Sequence, residues 1–425
     1  MSLLVSLKRE AWFLMRDRGL LSWLLVITCL STFSVWSGLA EVEQQRATIE
    51  RLLIADKEDR IAELAKQSDW GSAAYYSFHV TYDPPSDFAF AAMGQRDTLP
   101  WKHRLRMLAL EGQIYEHDAG NPELALIGRF DFAFFAAFVL PLILIFLLHS
   151  LKANERVAGR FDLLNATARN DLMLWRTRAI LIALSAASAT ILPMLLAGAA
   201  SGVGAITLFS AAALVGLYVV FWVVVCVLFA GWERSAQVVL SALVGVWILL
   251  GTILPTGGRL IVDAFVPVPT GADILMTQRE AVNDAWDLPV EDTMTPFVER
   301  HPEWTGYIHT GEGFDWPWYY AFQQVGDQKT EALSLAYQQG RLERDRMAGL
   351  ISLITPPALL ERLLAQLAQT DLRTAIAYEN RVRAFHAELR TFFYPMLFQQ
   401  QAYDAGKLTD LPRFVSGGAF SRVAP

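Results

Sequence analysis

Apolar positions in this chain gather into five long runs without a charged side chain, Gly19–Gly38, Phe132–Leu148, Ala179–Ala200, Ala205–Ala230 and Ser235–Leu254. Each holds 17 to 26 residues, against the roughly 20 that an α-helix needs to cross the hydrocarbon of a bilayer. None alternates with the period of a barrel strand, and an open backbone in lipid has no partner for its polar groups, so helices are the only spanning elements on offer. The pattern predicts an all-α polytopic membrane protein with five transmembrane helices, over 19–38, 131–150, 179–200, 205–231 and 235–258.

The polar stretches between and beyond the runs set the orientation. Lys8, Arg9, Arg16 and Arg18 precede the first run, facing only Glu10 and Asp17. Lys152, Arg156, Arg160, Arg169, Arg176 and Arg178 lie between the second and third runs, with Glu155, Asp162 and Asp171. The stretch from Ala40 to Arg129 carries 10 cations and 15 acids, and that from Arg259 to Pro425 carries 15 and 21. Short cationic segments next to span ends stay in the cytoplasm. Residues 1–18 and 151–178 are therefore expected there, with two mainly helical extracytoplasmic regions over 39–130 and 259–425. Five spans also carry the C-terminus to the outer side.

Residues 1–18 read as an amphipathic helix in the inner headgroup layer. Leu4, Leu7, Ala11, Leu14 and Met15 form one stripe, with Arg9, Glu10, Arg16 and Asp17 away from it. A cleaved leader is the competing account of the first run, since Gly38 and Ala40 give a small-residue pattern. That run is longer than the 7–15 residues of a leader core, which favours an anchor. In the first outer region, Glu41–Gln67 lacks Pro and Gly and should extend the first span as a helix. Tyr82-Asp83-Pro84-Pro85-Ser86 must break it. A second helix is expected around Trp101–Glu116, then a turn at Ala119-Gly120-Asn121-Pro122. The second outer region reads as loop-rich through Pro267, Pro269, Pro289, Pro296 and Pro302. It then reads as helical over Trp318–Met347 and Ala358–Leu397, with a stripe of Leu360, Leu363, Leu364 and Leu367. Arg373, Arg381, Arg383 and Arg390, mixed with Glu379 and Glu388, suit an amphipathic helical domain better than a site for an acidic ligand.

Composition changes little in this picture but narrows the chemistry. The 425 residues are 53% hydrophobic and 19% charged, and the mean hydropathy is +0.30, which sets aside disorder and weakens any soluble-enzyme reading. A net charge of -7 excludes a generic nucleic-acid binder, which needs a basic surface. Thirteen Trp suit a protein with two membrane–water interfaces. The only two cysteines, Cys29 and Cys226, fall inside spans, so no disulfide framework holds the outer regions. There is no G-x-x-x-x-G-K-[ST] loop, and no H-E-x-x-H, C-x-x-C or G-x-S-x-G. His79, His103, His117, His149, His301, His309 and His386 lack metal-ligand spacing. No catalytic or metal-ligating residue is expected, and no charge falls in mid-span to suggest a proton relay.

The loop over 151–178 carries most of the functional signal. Lys152-Ala153-Asn154-Glu155-Arg156-Val157-Ala158-Gly159-Arg160 is a charged turn with a Gly, and Phe161-Asp162-Leu163-Leu164 follows as an apolar knob. Such a segment suits a groove on a partner, or it merely holds the span in place by its positive charge.

"FDFAFFAAFVLPL" at the second span, followed by "ERVAGRFDLL", resembles the permease subunits of type-2 ABC exporters. "GSAAYYSFHVTYDPP", "ITPPALLERLLAQLAQTDL" and "LRTFFYPMLF" are similar to the branch with large extracytoplasmic inserts. The resemblance covers nearly the whole chain, and the joint order of these pieces is more specific than any one. It implies that the E-R-x-x-G-x-x-x-L-L element forms a coupling helix against a separate ATPase. The matching positions are Glu155, Arg156, Gly159, Leu163 and Leu164, with Arg160 beside them. It also implies that residues 1–18 act as a connector helix, with Leu7, Lys8, Arg9, Trp12 and Arg16 as its working positions. The expected complex is an ABC ATPase dimer carrying ATP and Mg, this chain without a cofactor of its own, and a second permease, related or identical. A periplasmic partner and the lipid of a bacterial inner membrane complete it. Family members commonly carry six spans where five are expected here, so a partner could supply the closing helix. The function implied is ATP-driven export. In that reading the spans rock as the ATPase closes, and small residues four apart (Ala183 and Ala187, Ser185 and Ala189, Gly198 and Gly202) supply the close-packing faces this needs. The rival is mechanotransmission to a periplasmic partner with no substrate crossing, which the two large outer regions beside a modest membrane part favour.

Overall fold

The computed structural model describes residues 3–115, 130–167, 171–232, 234–307 and 313–417. The turn expected at 119–122 and Arg169 lie outside them. Helix α1 (Leu3–Leu14) ends in a turn, and Asp17 then starts α2 (Arg18–Leu64) by accepting the backbone N–H groups of Gly19 at 2.9 Å and Leu20 at 3.3 Å, as an N-cap does. With no Pro in 47 residues, α2 runs on for about 70 Å at the usual helical rise. Ile27, Ser31, Ser34, Gly38, Val42, Gln45 and Ile49 are all buried along it. One stripe thus passes unbroken from the membrane half into the polar half.

Among the described residues, five helices are long and apolar enough to cross a membrane: α2, the segment beginning at Phe132, Leu174–Ala200, Ala205–Ala230 and Ala236–Phe265. The protein is an all-α polytopic membrane protein. We number the second span α5 (Phe132–Phe134, Phe135–Val139 and Leu140–Leu148 in series). The others are α8 (Asp171–Ala200), α9 (Ala205–Ala230) and α10 (Ala236–Phe265). Span α5 sits at the centre of the bundle, with Phe132, Phe135, Ala136, Leu140, Leu144 and Leu148 fully buried. Its Phe135–Val139 stretch is a π-helix, which displaces the regular backbone pairing. In hydrocarbon a carbonyl left over must be satisfied. Here Tyr218 Oη of α9 donates to the Ala137 carbonyl at 2.5 Å, and Trp247 Nε1 of α10 donates to the Phe138 carbonyl at 3.1 Å. Span α8 lies along α2, where Ser31 Oγ donates to the Thr190 carbonyl at 2.7 Å. Of the small-residue pairs, Ala183 and neighbouring Ala186 are buried, and Gly198 packs under Leu208 of α9.

The two polar regions form one body. Residues 39–130 contribute the polar half of α2, α3 (Trp70–Tyr76) and α4 (Leu110–Tyr115). The helix expected around 101–116 is instead a strand followed by that short helix. β2 (Lys102–Leu105) pairs antiparallel with β1 (His79–Tyr82), His79 facing Leu105. His103 and Leu105 are buried while Lys102 and Arg104 face out, so the local period is two and not 3.6. The region expected to be loop-rich carries α11 (Gly271–Asp284) and α12 (Val290–Arg300). Its prolines begin helices as readily as they break them, and Pro289 is the residue before α12. Then come α13 (Trp316–Ser352), α14 (Pro356–Leu367) and α15 (Leu372–Phe398). The arginines of α15 hold the regions together. Arg383 grips Glu111 of α4 at 2.7 and 2.9 Å and Arg381 meets Asp83 at 2.6 Å, while Arg390 holds Asp327 of α13, which in turn accepts Leu110 N of α4 at 2.7 Å.

Two short pieces help to seat this body on the spans. Phe88–Met93 is fully buried and lies so close to α2 that a Cβ on Gly38 would enter the Phe90 carbonyl. Helix α14 packs its Leu360 and Leu364 into the same core as Phe135 of α5 and Ala211 and Val215 of α9.

Candidate coupling site

At the end of the bundle away from the polar body, α6 (Ala153–Val157) and α7 (Phe161–Thr167) follow α5. Gly159 between them has φ +65°, a left-handed conformation that a β-carbon disfavours. Arg160 N donates to the Glu155 carbonyl at 3.0 Å, closing α6. The turn is open, and a Cβ on Gly159 would meet nothing within 4 Å.

The base of this hairpin is fixed by charge and aromatic contact. Arg178, in the first turns of α8, has its side chain only 8% exposed. Its Nε donates to Glu10 of α1 at 2.8 Å, and its Nη1 reaches Glu155 at 3.5 Å. Glu155 also accepts from Arg160 at 2.9 Å, and Glu10 from Arg9 at 3.2 Å. The guanidinium of Arg178 lies 4.9 Å from the Phe13 ring and 5.3 Å from that of Trp175. Phe161 stacks on Trp175 at 5.8 Å, and Arg156 lies 4.7 Å over Phe161 while reaching the Trp232 carbonyl at 3.4 Å. Arg178 therefore bridges α1, α6 and α8.

The residues named from sequence divide accordingly. Glu155, Arg156, Gly159 and Arg160 build the hairpin, with Glu155 turned inward and Arg160 outward. Leu164 is half-buried and Leu163 is 65% exposed. In α1, which contains Leu7, the side chains of Lys8, Arg9 and Trp12 are exposed, and Arg16 folds back over Trp12 at 5.2 Å. Glu10 departs from the expected helical wheel. Expected on the polar face, it is buried because its partner, Arg178, approaches from a distant span. Sequence reasoning also passed over Val157. It is 90% exposed at the tip, and an unpaired apolar residue inside a charged stretch was the available signal. Among the described residues no group of three His, Cys, Asp or Glu is placed to hold a metal.

A second polar feature lies at the junction of spans and body. A cavity of about 380 Å³ is lined by Asp131, Glu361, Arg362, Asp345 and Asp97. Asp131 caps α5 by accepting Phe134 N at 2.8 Å, and it accepts Met93 N at 2.8 Å from the Phe88–Met93 segment. Burial raises its pKa to about 6 despite these amides. Burial, and then the charge of Asp131, raise Glu361 to about 7. Both carboxyls bind a proton more readily folded than unfolded, so their contribution falls as pH climbs from the ordinary carboxylate range through about 7. Glu361→Gln should raise the thermal midpoint at pH 8, by a stabilisation on the order of 1 kcal/mol, and leave that at pH 4, below the ordinary carboxylate value, nearly unchanged. Equal midpoints for variant and wild type at pH 8 would show that the charge costs nothing there.

Comparison with known families matches residues 273–416 to a family described as a domain of unknown function, DUF3526. The match covers the polar body from α11 onward and takes in none of the spans or the α6–α7 hairpin. No curated protein and no solved structure matches the chain.

Proposed function

We propose that this chain is the membrane-spanning permease subunit of an ATP-driven complex of the type-2 ABC exporter kind, seated in a bacterial inner membrane with α1 and the α6–α7 hairpin in the cytoplasm. ATP and Mg belong to a separate ATPase dimer that docks on the hairpin, and a second permease completes the complex. The chain itself performs no catalysis. One observation carries this reading: an outward hairpin with an apolar tip is bound at its base, through buried Arg178, to both α1 and a span. A push on such a hairpin moves α8 and α1 rather than bending a loop.

Force transmission without a transported substrate has its own support. The core of the bundle is packed with large side chains, including Ile27, Phe132, Phe135 and Trp222. Helix α14 sits over its end, and α2 links membrane and polar body as one rod. In this version the polar body is the moving output and meets a periplasmic partner.

Val157→Asp and Leu163→Asp alter exposed positions and leave the Arg178 base intact. In the purified complex each should lower hydrolysis by the co-purifying ATPase by about tenfold, with the amount of chain in the membrane unchanged. Unaltered hydrolysis, or purification without any nucleotide-hydrolysing companion, would remove coupling from the account. With coupling established, ATP-dependent motion of a label on the polar body in empty vesicles would favour transmission. Motion only in the presence of a transported compound would favour export.

A further inference from the structure

We infer that the cavity between α10 and the α13–α14 corner is a seat for one anionic phospholipid of the leaflet on the polar-body side. The inference needs only the membrane-spanning character of the chain and is independent of the ATPase.

Helix α10 leaves the membrane at this point. Its last apolar turns give way to Pro255, Gly257, Gly258 and Arg259 after about 20 residues, the length that crosses the hydrocarbon. Helix α13 descends from the polar body to the same depth. A Cβ on Gly258 would lie 2.7 Å from Ile351 Cγ2, so the end of α13 touches α10 at the membrane boundary. Around that contact Leu350 is 63% exposed, Leu353 65%, Ile354 64% and Leu260 67%, continuous with lipid-facing Ile253 at 55%. Water is a poor neighbour for such a surface, and acyl chains are a good one.

Between the two helices lies a cavity of about 440 Å³, walled by Pro255, Val262, Ile351 and Leu372 and rimmed by Arg259, Arg341 and Arg344. The rim has unspent capacity for an anion. Arg341 has its side chain only 10% exposed; its Nη1 donates to Glu379 at 2.8 Å, but its Nη2 is buried without a partner. Arg344 and Arg259 share one carboxylate, Asp263, at 3.3 and 3.7 Å. Asp345, also on the rim, is already gripped by both arms of Arg362. Three guanidinium groups thus line the cavity beside two carboxylates, one of which is already held by Arg362. A buried N–H without an acceptor is costly, and a phosphodiester oxygen is a strong acceptor for it. A free anion would leave the apolar lip unexplained, and an acyl chain alone would leave the donor unsatisfied. A phospholipid with an anionic head answers both.

The test is native mass spectrometry of the full chain, delipidated in detergent and then offered phosphatidylglycerol, phosphatidylcholine or inorganic phosphate. Wild type should hold one phosphatidylglycerol about tenfold more tightly than phosphatidylcholine. Ala348→Trp, which fills the cavity from an exposed position, should abolish that preference with an unchanged thermal midpoint, and Arg259→Gln should weaken it. Equal retention of both lipids, undiminished retention by Ala348→Trp, or displacement of the lipid by inorganic phosphate would overturn the assignment.

Discussion

Arg178→Met is expected to destabilise the solubilised protein by about 3–5 kcal/mol, the range for a buried ion pair that loses one partner. The reason lies in what stays behind. Glu10 and Glu155, with side chains 6% and 12% exposed, would share a small space without the cation between them. Arg9 and Arg160, at 54% and 64% exposed, approach only from the solvent side and are too well hydrated to replace it. Arg178→Lys should recover only part of the loss, because a single ammonium cannot fork between two carboxylates. Adding Glu10→Gln to Arg178→Met should recover more, by removing one of the stranded charges. Thermal unfolding of the four proteins checks this. A single Arg178→Met variant melting with wild type would mean that the base of the hairpin is not held by this triad. The same substitution separates architecture from coupling, since Val157→Asp perturbs only the tip.

The spans were legible because a run without charges has only one stable solution in a bilayer. The length of α2 was legible because nothing between Glu41 and Leu64 can end a helix. The hairpin segment reads in the sequence as a charged turn with Gly159 and an apolar knob, and its two short helices did not show. What failed to show were contacts made by residues far apart in the chain. Glu10 resembles any surface acid until Arg178, 168 positions away, is brought against it. The strands are four residues each, too short to establish a period of two against nearby helix formers. Helix α14 read as one more amphipathic helix of the outer domain, and its Leu360 and Leu364 did form a face. The local pattern carries no information about what that face meets, and it meets the spans. The polar cavity at the junction was hidden for the same reason, since Asp131 and Glu361 come together only once α14 lies over the bundle.

Gly38→Val should have the other large effect, a loss of about 3 kcal/mol or more, and it should act on that junction rather than on the membrane bundle as a whole. A Cβ at Gly38 would run into the backbone carbonyl of Phe90. Backbone cannot rotate aside as a side chain can, so the Phe88–Met93 segment must lift away from α2. Lifting it breaks the 2.8 Å bond from Met93 N to Asp131 and the 2.8 Å bond from Thr370 Oγ1 to the Ala92 carbonyl. The first strands a raised-pKa carboxyl, and the second loosens the link between α14 and α15. Gly216→Ala is the matched control. Gly216 is also within a span, but a Cβ there would meet nothing within 4 Å, so its variant should melt at or slightly above wild type, since Ala favours a helix over Gly. Limited proteolysis locates the damage. In Gly38→Val, cleavage should appear first near Phe88–Met93 while α5, α8 and α9 stay protected. Early cleavage within those three spans instead would mean that Gly38 supports the bundle directly, and that the polar body is seated on it by some other contact.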